Sequence, residues 1–511
     1  MQAPFGRVYL DGMGWINRFA INQFVKSTPP RPRPFGLWSE APNTVSDYTS
    51  WPSLVDRRFS DRHLPPADPA YTDGLPSDPP YDRGPPPVLG PVTRLFERSN
   101  QIDSRSTVLF GLFAQWFTDS LLRIHPTDKR KNTSNHDIDL CQIYGLREST
   151  ARILRSGEIG RLKSRMLGDE EFLPLLYDAD GNVQPEFSGL PYLELLDQVI
   201  WTRFPPERKS HYYATGLERG NSSIGYTAIS TLFLREHNRI CGELHARHPL
   251  WNDERLFQTA RNIMIVLLMK LVVEEYINHI GPSRLFNFKL ELDWAEDEAW
   301  YRPNWIALEF DLLYRWHGLV PDTIRLGGVD HEHTAYRINN TLLESAGLGA
   351  AVDALSRQPA GRISLFNTPH FLLEAESISI RLGRQFRLRS FNDYRRRFGL
   401  RPTRDFSELT DDGTIRSRLA ELYDDVDQLE LFVGLFAEGA SGRSLFGELM
   451  TQMVAVDAFS QIFTNPLLSR YVYNADTFSR YGLELIEATG SVQDMLDRNT
   501  GSGDFRASFD V

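Results

Sequence analysis

The chain has 511 residues, of which 41% are hydrophobic and 24% are charged, and this balance excludes a disordered protein. Lys and Arg total 56 against 67 Asp and Glu, and the net charge of −11 argues against nucleic acid as the main partner. Two cysteines, Cys141 and Cys241, exclude a disulfide-stapled scaffold. No signal peptide is readable, and the longest apolar run, 263–273, is too short to span a bilayer. We therefore expect a cytoplasmic protein.

The first 97 residues differ in composition from the rest. Apolar residues recur at helical spacing over 15–25, with Asn17, Arg18 and Lys26 between them, which predicts a short amphipathic helix. This helix either docks on the body of the protein or lies on a membrane surface. Residues 29–91 then hold 16 of the 31 prolines, which indicates irregular or polyproline-like chain. We divide this part into an N-terminal arm, 1–50, and a proline-rich segment, 51–97.

From residue 96 onward, helical patterns dominate. They predict helices over 107–122, 227–247, 256–280, 305–317, 415–423, 428–436 and 445–463. Asn252 is a plausible N-cap for the third of these, because acidic residues follow it. Alternating strand patterns are few, and no internal repeat is visible. The sequence predicts an all-α fold, with one catalytic domain over 98–500 and a tail over 501–511.

The stretch EFDLLYRWHGLVPDT, residues 309–323, carries the strongest chemical signal. Tyr314 and His317 are three residues apart, so on the predicted helix 305–317 they share a face. An imidazole can serve as the axial ligand of haem iron. A phenol beside it could lose an electron and a proton to an oxidised haem, which would leave a tyrosyl radical. From these residues alone, a satisfied core histidine in an aromatic stripe is the more common interpretation.

The other histidines form weaker patterns. His237, His245 and His248 lie in one helical stretch, and two more flank Glu332, but neither group has the spacing of a zinc site. We interpret both as structural. The chain also lacks the glycine-rich loops of nucleotide-binding proteins and the nucleophile motif of serine hydrolases.

Several long strings resemble one family. They are LYRWHGLVPDT, FLREHNRICGELHARHPLWNDERLFQTAR (233–261), AVDALSRQPAGRI (351–363), SFNDYRRRFGLRP (390–402), LYDDVDQLEL (422–431) and LFGELM (445–450). Together they resemble the cyclooxygenase branch of the haem peroxidase superfamily, collinearly from about residue 51 to about residue 486. The resemblance implies a helical haem peroxidase-like fold and haem b as cofactor. The animal enzymes' disulfide-rich module has no counterpart, and Tyr-Arg-Trp-His resembles fungal and bacterial fatty-acid dioxygenases, so we expect a bacterial or fungal member.

The resemblance also implies roles for individual residues. His317 would be the axial ligand of the haem iron, and Tyr314 the radical tyrosine. Tyr276 and Ser460 match residues that line the family's fatty-acid channel. Further apolar lining, or plain core packing, is expected from Ile277, Ile280, Phe310 and Trp316. The substrate carboxylate would meet Arg31 or Arg33.

The segment FAQWFTDSLL, residues 113–122, departs from the family. It resembles the helix that carries a glutamine and a histidine toward the haem, and it keeps Gln115 but has Asp119 at the histidine position. A distal base takes a proton from peroxide, whereas an unpaired buried carboxylate tends to stay protonated. Arg219 in LERGNSS has a spacing that resembles the distal arginine of mammalian peroxidases, and a cation there would lower the pKa of Asp119.

The resemblance implies a haem-dependent dioxygenase that oxygenates a polyunsaturated fatty acid through a tyrosyl radical, using dioxygen and peroxide. A membrane surface and a second copy of the chain are the expected partners. Two other functions stay open. One is a haem peroxidase that oxidises small molecules. The other is a membrane-associated haem-binding protein with little turnover, because Asp119 replaces the distal histidine.

Overall fold

The computed structural model describes residues 14–27, 60–64, 67, 87–129, 131–134, 136–281, 287–292, 294–301, 306–440, 442–501 and 504–511. Arg31 and Arg33, and most of the proline-rich segment, lie outside the described residues.

Helices make up most of the described chain. The longer ones are α1 Gly14–Ser27, α2 Val108–Thr118, α3 Glu148–Leu154, α4 Ile224–Arg247, α5 Asp253–Leu271, α6 Leu308–Leu313, α7 Thr341–Ala346, α8 Leu348–Ser356, α9 Leu373–Gln385, α10 Phe391–Arg397, α11 Gly413–Leu422, α12 Leu431–Ala437, α13 Glu448–Phe463, α14 Ala475–Ala488 and α15 Val492–Thr500. Short α-helical turns span Leu89–Thr93, Cys141–Tyr144, Leu193–Leu195, Asn278–Ile280, His333–Tyr336 and Phe406–Leu409. π-turns span Leu196–Ile200 and Val272–Ile277. Single 3₁₀ turns span Pro185–Phe187, Pro206–His211, Ala295–Asp297, His317–Leu319, His370–Leu372, Val426–Gln428 and Pro466–Leu468.

Strands are short and form antiparallel pairs. The strands are β1 Asp103–Thr107, β2 Arg165–Leu167, β3 Glu170–Phe172, β4 Thr323–Leu326, β5 Val329–Glu332 and β6 Pro359–Gly361. β1 pairs with β6 from Asp103 opposite Gly361, whereas β2–β3 and β4–β5 are local hairpins. The all-α prediction is confirmed, because these pairs only decorate a helical body.

The core is built around α4 and α5. Helix α5 packs against α4 and α14, and α4 also contacts α2 and α8. The predicted N-cap is confirmed, since the Asn252 side chain accepts a hydrogen bond from the Arg255 amide at 2.9 Å. The continuous helical segment Asp253–Ile280 has the length and hydropathy of a membrane span, but 78% of its most apolar window is buried inside the body. Its apolar character is therefore explained by core packing.

Helix α1 confirms the predicted N-terminal helix and docks on the body. Ile21 and Val25 are buried, and α1 packs along α13. The Asn17 amide group donates a hydrogen bond to the carbonyl of Lys289 at 2.9 Å. Trp15 belongs to the outer face of the helix, so the apolar residues of this segment are divided between two faces.

The predicted helix 305–317 is wrong at its C-terminal end. Helix α6 ends at Leu313, and Tyr314 and Trp316 have non-helical backbone angles before the turn that begins at His317. The indole of Trp316 stacks on Tyr314 at 4.4 Å and contacts Phe446 at 4.7 Å. Because the helix has ended before these residues, Tyr314 and His317 do not share a helical face.

Other boundaries also moved. The helix predicted over 107–122 ends at Thr118, and the one over 256–280 changes to π-helical bonding at Val272. Patterns that the sequence did not resolve form α3, α7 to α10, α14 and α15. The predicted tail packs on the body, because Phe509 is buried and its carbonyl accepts a hydrogen bond from the Thr107 amide at 2.9 Å.

Candidate active site

A cavity of about 240 Å³ lies beside α2 and the turn that follows α6. Its polar lining includes Gln115, Asp119, Arg219, Tyr314, Arg315, His317 and Arg337. Helix α2 comes close to the His317–Leu319 turn, since a side-chain carbon at Gly111 would lie 3.1 Å from Cβ of Leu319. The cavity therefore brings together the residues that the sequence predicted for the distal helix and for the axial ligand.

The distal group consists of Gln115, Asp119 and Arg219. Gln115 faces outward from α2 into the cavity, and Asp119 caps the C-terminal end of that helix. Nη1 of Arg219 donates to Oδ1 of Asp119 at 2.9 Å, which is the ion pair expected from the sequence. The amide of Gln115 lies 3.5 Å from the hydroxyl of Ser222, at the limit of a hydrogen bond.

Burial dominates the electrostatics of Asp119. The residue is 4% exposed, and its second carboxylate oxygen, Oδ2, has no hydrogen-bond partner. Desolvation raises the pKa of Asp119 above its ordinary value, although Arg219 and then Arg123 attract its charged form. The adjacent carboxylate in turn raises the pKa of Arg219. Asp119 is thus a partly compensated carboxyl group with one free acceptor.

The proximal group consists of Tyr314, Trp316 and His317, all on the segment that follows α6. Nδ1 of His317 lies 3.0 Å from Oε1 of Glu376, which α9 contributes. The two atoms are within ion-pair distance but are not aligned as a hydrogen bond. Within the described chain, Nε2 of His317 makes no hydrogen bond, which leaves this nitrogen available to the cavity.

The backbone after His317 is fixed by a buried arginine. Nη2 of Arg98 donates to the carbonyls of Gly318 at 2.9 Å and of Asn367. The chain also passes close to Arg362, whose carbonyl would lie 2.5 Å from a side-chain carbon at Gly318. Glycine is required there because any larger residue would meet backbone.

Tyr314 sits in an aromatic cluster. Its ring packs edge-on to Phe310 at 4.9 Å and stacks on Trp316 at 4.4 Å, and Trp316 in turn stacks with Tyr276 at 6.4 Å. Burial raises the pKa of Tyr314 above the ordinary value, with a smaller opposing effect from the neighbouring Tyr276 hydroxyl. The phenol therefore keeps its proton at neutral pH.

Several predicted channel residues do not line this cavity in the described structure; they are Tyr276, Ile277, Ile280, Phe310 and Ser460. All but Ser460 are buried in the core. The Ser460 hydroxyl donates to the carbonyl of Val456 at 2.7 Å on its own helix. Of these predictions, only Phe310 and Tyr276 lie in the cluster around Tyr314.

The residues that line the cavity suit a haem group. The imidazole of His317 offers a nitrogen for the iron, and nonpolar side chains at Leu112, Ala114 and Phe371 suit a porphyrin ring. Arg315 and Arg337 line the same space and suit propionate carboxylates. Elsewhere in the described residues, no cluster of three or more His, Cys, Asp or Glu could hold a separate metal ion.

Sequence reasoning missed Glu376 and Arg98. Glu376 is a fully buried acid on α9, and Arg98 follows the proline-rich segment. Each is far along the chain from His317, and neither lies in a motif. A charged residue at a buried position of an amphipathic helix is the only signal that could have indicated Glu376.

Comparison with known proteins gives the family. The animal haem peroxidase family matches residues 119–508, more than half of the chain. Rat prostaglandin G/H synthase 1 is 34% identical over 472 residues, which cover 90% of this chain and 73% of the rat protein. Horse prostaglandin G/H synthase 2 is 31% identical over 477 residues, covering 91% and 74%.

Solved structures share the fold at lower identity. Peroxidase A from Dictyostelium discoideum has a TM-score of 0.68 at 19% identity and covers 94% of this chain and 99% of that protein. Fatty acid alpha-dioxygenase from Oryza sativa has a TM-score of 0.69 at 17% identity and covers 98% and 94%. The bacterial or fungal origin stays a prediction. The family match, the relatives that align over about 90% of this chain, and the cavity that contains His317 all agree. The chain therefore belongs to the animal haem peroxidase family and is a haem-dependent oxidoreductase.

Proposed function

We propose that this chain is a dioxygenase that oxygenates a polyunsaturated fatty acid through a radical on Tyr314. Haem, when bound and oxidised by peroxide, would supply the oxidising equivalent for the loss of an electron and a proton from Tyr314. The Tyr314 phenoxyl then takes a hydrogen atom from the lipid chain and becomes a phenol again. Dioxygen adds to the carbon radical that remains. The peroxyl radical so formed would take the hydrogen atom back from the Tyr314 phenol, which gives a lipid hydroperoxide and restores the phenoxyl.

The environment of Tyr314 carries this proposal. The phenol lines the same cavity as His317, yet it is packed between Phe310 and Trp316. Burial raises its pKa, so the starting state is a neutral phenol rather than a phenolate. A neutral phenol beside the cofactor site and against an apolar cluster is the group needed to take hydrogen from a lipid.

Relatives support the same class of substrate. Two of the sequence relatives carry the name prostaglandin G/H synthase. The shared fold also includes two plant fatty acid alpha-dioxygenases, and a Tyr-to-Phe variant of the rice enzyme was solved with palmitic acid.

The distal group would prepare peroxide. Asp119 would accept a proton from hydrogen peroxide through its free Oδ2 and return it to the leaving oxygen. Arg219 attracts the ionised form of Asp119 and so keeps part of the carboxyl population able to act as a base. The exposed amide of Gln115 would orient the peroxide.

The test is oxygen uptake by purified haem-loaded enzyme, with products identified by mass spectrometry. We expect uptake with linoleate and arachidonate, little with oleate, and none when Tyr314 is replaced by Phe. Uptake with palmitate but not linoleate would contradict a polyunsaturated substrate. Unchanged uptake by Tyr314→Phe would contradict the radical step.

A peroxidase that oxidises small molecules is the second candidate. Gln115 is exposed to the cavity and the Arg219 side chain is 55% exposed, so a small reductant can reach the distal group. Guaiacol oxidation with peroxide, without oxygen uptake from any fatty acid, would favour this function. Failure of both assays by haem-loaded protein would favour the third interpretation, a haem-binding protein with little turnover.

We further propose that the enzyme associates peripherally with a membrane inside the cell. Trp15 and Phe19 are 63% and 59% exposed on the outer face of α1, while Arg18 and Lys26 pair with Glu291 and Glu298. Two free, buried cysteines agree with a reducing compartment.

Liposome sedimentation tests this association. Replacing Trp15 and Phe19 by Ala should weaken binding, whereas Leu250→Ala, which removes another highly exposed apolar side chain, should not. Equal sedimentation of both variants would exclude α1 as the anchor. The resemblance also supports a homodimer, and light scattering of the full chain would measure it.

A further inference from the structure

Glu376 occupies an unusual position for an acid. It lies on α9, is fully buried, and places Oε1 3.0 Å from Nδ1 of His317. The same oxygen accepts a hydrogen bond from the hydroxyl of Thr368 at 2.7 Å. The carboxylate is therefore held by one neutral donor and directed at the imidazole.

Two buried polar atoms at this contact lack aligned partners. They are Nδ1 of His317 and Oε2 of Glu376. Buried polar atoms in native proteins are almost always satisfied, so a pair of unsatisfied atoms on adjacent side chains needs an explanation. A small rotation of the imidazole ring would direct its Nδ1–H toward Oε1, 3.0 Å away, and so satisfy Nδ1.

We propose that Glu376 is a positioning residue that accepts the Nδ1 proton of His317. The bond selects the tautomer whose Nε2 carries no proton, and it orients that nitrogen toward the cavity. Histidines that bind metals commonly donate their other ring N–H to a carboxylate or a carbonyl, which fixes the ring and makes it a stronger electron donor. Glu376 then acts on the cofactor through His317 without touching it.

The electronic consequence has a defined sign. A carboxylate acceptor draws the Nδ1 proton toward itself and increases electron donation from Nε2. Stronger donation stabilises ferric over ferrous iron, so the reduction potential falls. Thr368 opposes this effect, because its hydroxyl draws electron density from the same carboxylate.

The sharpest test uses two variants that should act in opposite directions on the holoenzyme. Glu376→Gln replaces the carboxylate by a weaker acceptor, so the ferric/ferrous potential should rise by about 59 mV, a tenfold change for one electron. The iron–histidine stretching frequency of the ferrous enzyme should fall. Thr368→Val removes the competing donor, so both quantities should move the other way by a smaller amount.

Glu374→Gln is the matched control. Glu374 is an exposed acid on the same helix, so its replacement changes charge equally but leaves His317 untouched. The ferric/ferrous potential and the iron–histidine stretching frequency of Glu374→Gln should equal those of the wild type. Haem loss should be roughly tenfold faster in Glu376→Gln than in this control, as for other residues that support a metal ligand.

These outcomes test the role of Glu376 separately from the function proposed above, because the role of Glu376 requires only that His317 binds the haem iron. If Glu376→Gln matches Glu374→Gln in both potential and vibration, Glu376 has only a packing role and the inference fails. If Glu376→Gln does not fold, Thr368→Val tests the inference by itself. A ferric/ferrous potential that is unchanged or higher in Thr368→Val would overturn the inference. A wild-type enzyme without an iron–histidine vibration would overturn the ligand assignment as well. Oxygen uptake with fatty acids enters none of these readouts.

Discussion

Two buried carboxyl groups serve the same cavity in different surroundings. Asp119 ends α2 and pairs with a guanidinium at 2.9 Å, whereas Glu376 lies within α9 and faces an imidazole at 3.0 Å. Each has one oxygen without a hydrogen-bond partner. In the roles proposed above, Arg219 favours the ionised form of Asp119 that accepts a proton from peroxide, whereas Glu376 accepts the Nδ1 proton of His317.

The difference also concerns what each carboxyl can contact. Asp119 lines the cavity itself, so its free oxygen can meet a small substrate. Glu376 is screened from the cavity by His317, and its influence passes through that ring. The two acids therefore differ in access to the cavity. Asp119 can contact a substrate directly, whereas His317 lies between Glu376 and the cavity.

The largest expected effect is loss of the cofactor in His317→Ala. The substitution removes the only imidazole that lines the cavity among the described residues, so the Soret band should disappear or change strongly. His370→Ala is the control, because that side chain is 87% exposed. A wild-type absorption spectrum in His317→Ala would exclude this residue as the ligand and remove one side of the comparison.

Next in size is Tyr314→Phe, which should abolish oxygen uptake while haem spectra stay unchanged. The hydroxyl is required for the radical, whereas the ring is sufficient for stacking on Trp316. Stability should change by no more than about 1 kcal/mol, the scale of one hydrogen bond.

Tyr336→Phe is the matched variant for this measurement. Tyr336 also lines the cavity, but its hydroxyl donates to the carbonyl of Pro321 at 3.0 Å. We expect normal oxygen uptake from it. Equal loss of uptake in both tyrosine variants would indicate a general disturbance of the cavity instead of a radical at Tyr314.

Asp119→Asn tests the direct role of the distal carboxyl. It should slow the reaction of the holoenzyme with hydrogen peroxide by about 10²-fold, the lower end for loss of a positioned base. Asp119→His would instead raise the rate if the wild-type carboxyl is an ineffective base. Stopped-flow spectroscopy measures both, and two unchanged rates would remove Asp119 from the mechanism.

The smallest expected effect is a shift in pH dependence. A base acts in its ionised form, so the peroxide rate should rise with pH through the pKa of Asp119, which burial raises above its ordinary value. Arg219→Gln removes the cation that lowers the pKa of Asp119 against the effect of burial. The pH at which the peroxide rate rises should therefore be higher in this variant. Arg325→Gln, at an arginine that does not line the cavity and is 65% exposed, should leave the profile in place.

A profile in Arg219→Gln that stays at the wild-type pH would mean that the rise belongs to another group. That outcome would show that the Asp119–Arg219 ion pair does not set the pH dependence of the peroxide rate. The comparison of Asp119 with Glu376 would then rest only on their positions and contacts.

The fold class could be predicted because helical periodicity is local. Helices α1, α4, α5, α11 and α13 were all indicated by apolar spacing, and the N-cap at Asn252 by a few adjacent residues. The end of α6 could not be predicted in this way. Trp316 fits a helical pattern by its position, whereas in the structure its ring packs against Phe446, which lies 130 residues further along the chain.

For the candidate site, the sequence by itself determined the residues that belong to continuous strings. These strings predicted five residues from their types and spacing, namely Tyr314, His317, Gln115, Asp119 and Arg219. In the structure, all five line one cavity. The sequence also determined the amphipathic segment that becomes α1, but not which of its apolar residues face outward.

The tertiary structure alone decided how those residues are supported. Glu376 meets His317, and Arg98 holds the carbonyl of Gly318, across long separations along the chain. Such contacts carry no sequence periodicity, because the distance between their residues is set by how α9 and the N-terminal segment pack around the turn at His317. Hydrogen bonding and burial at that turn became visible only once the helices were in place.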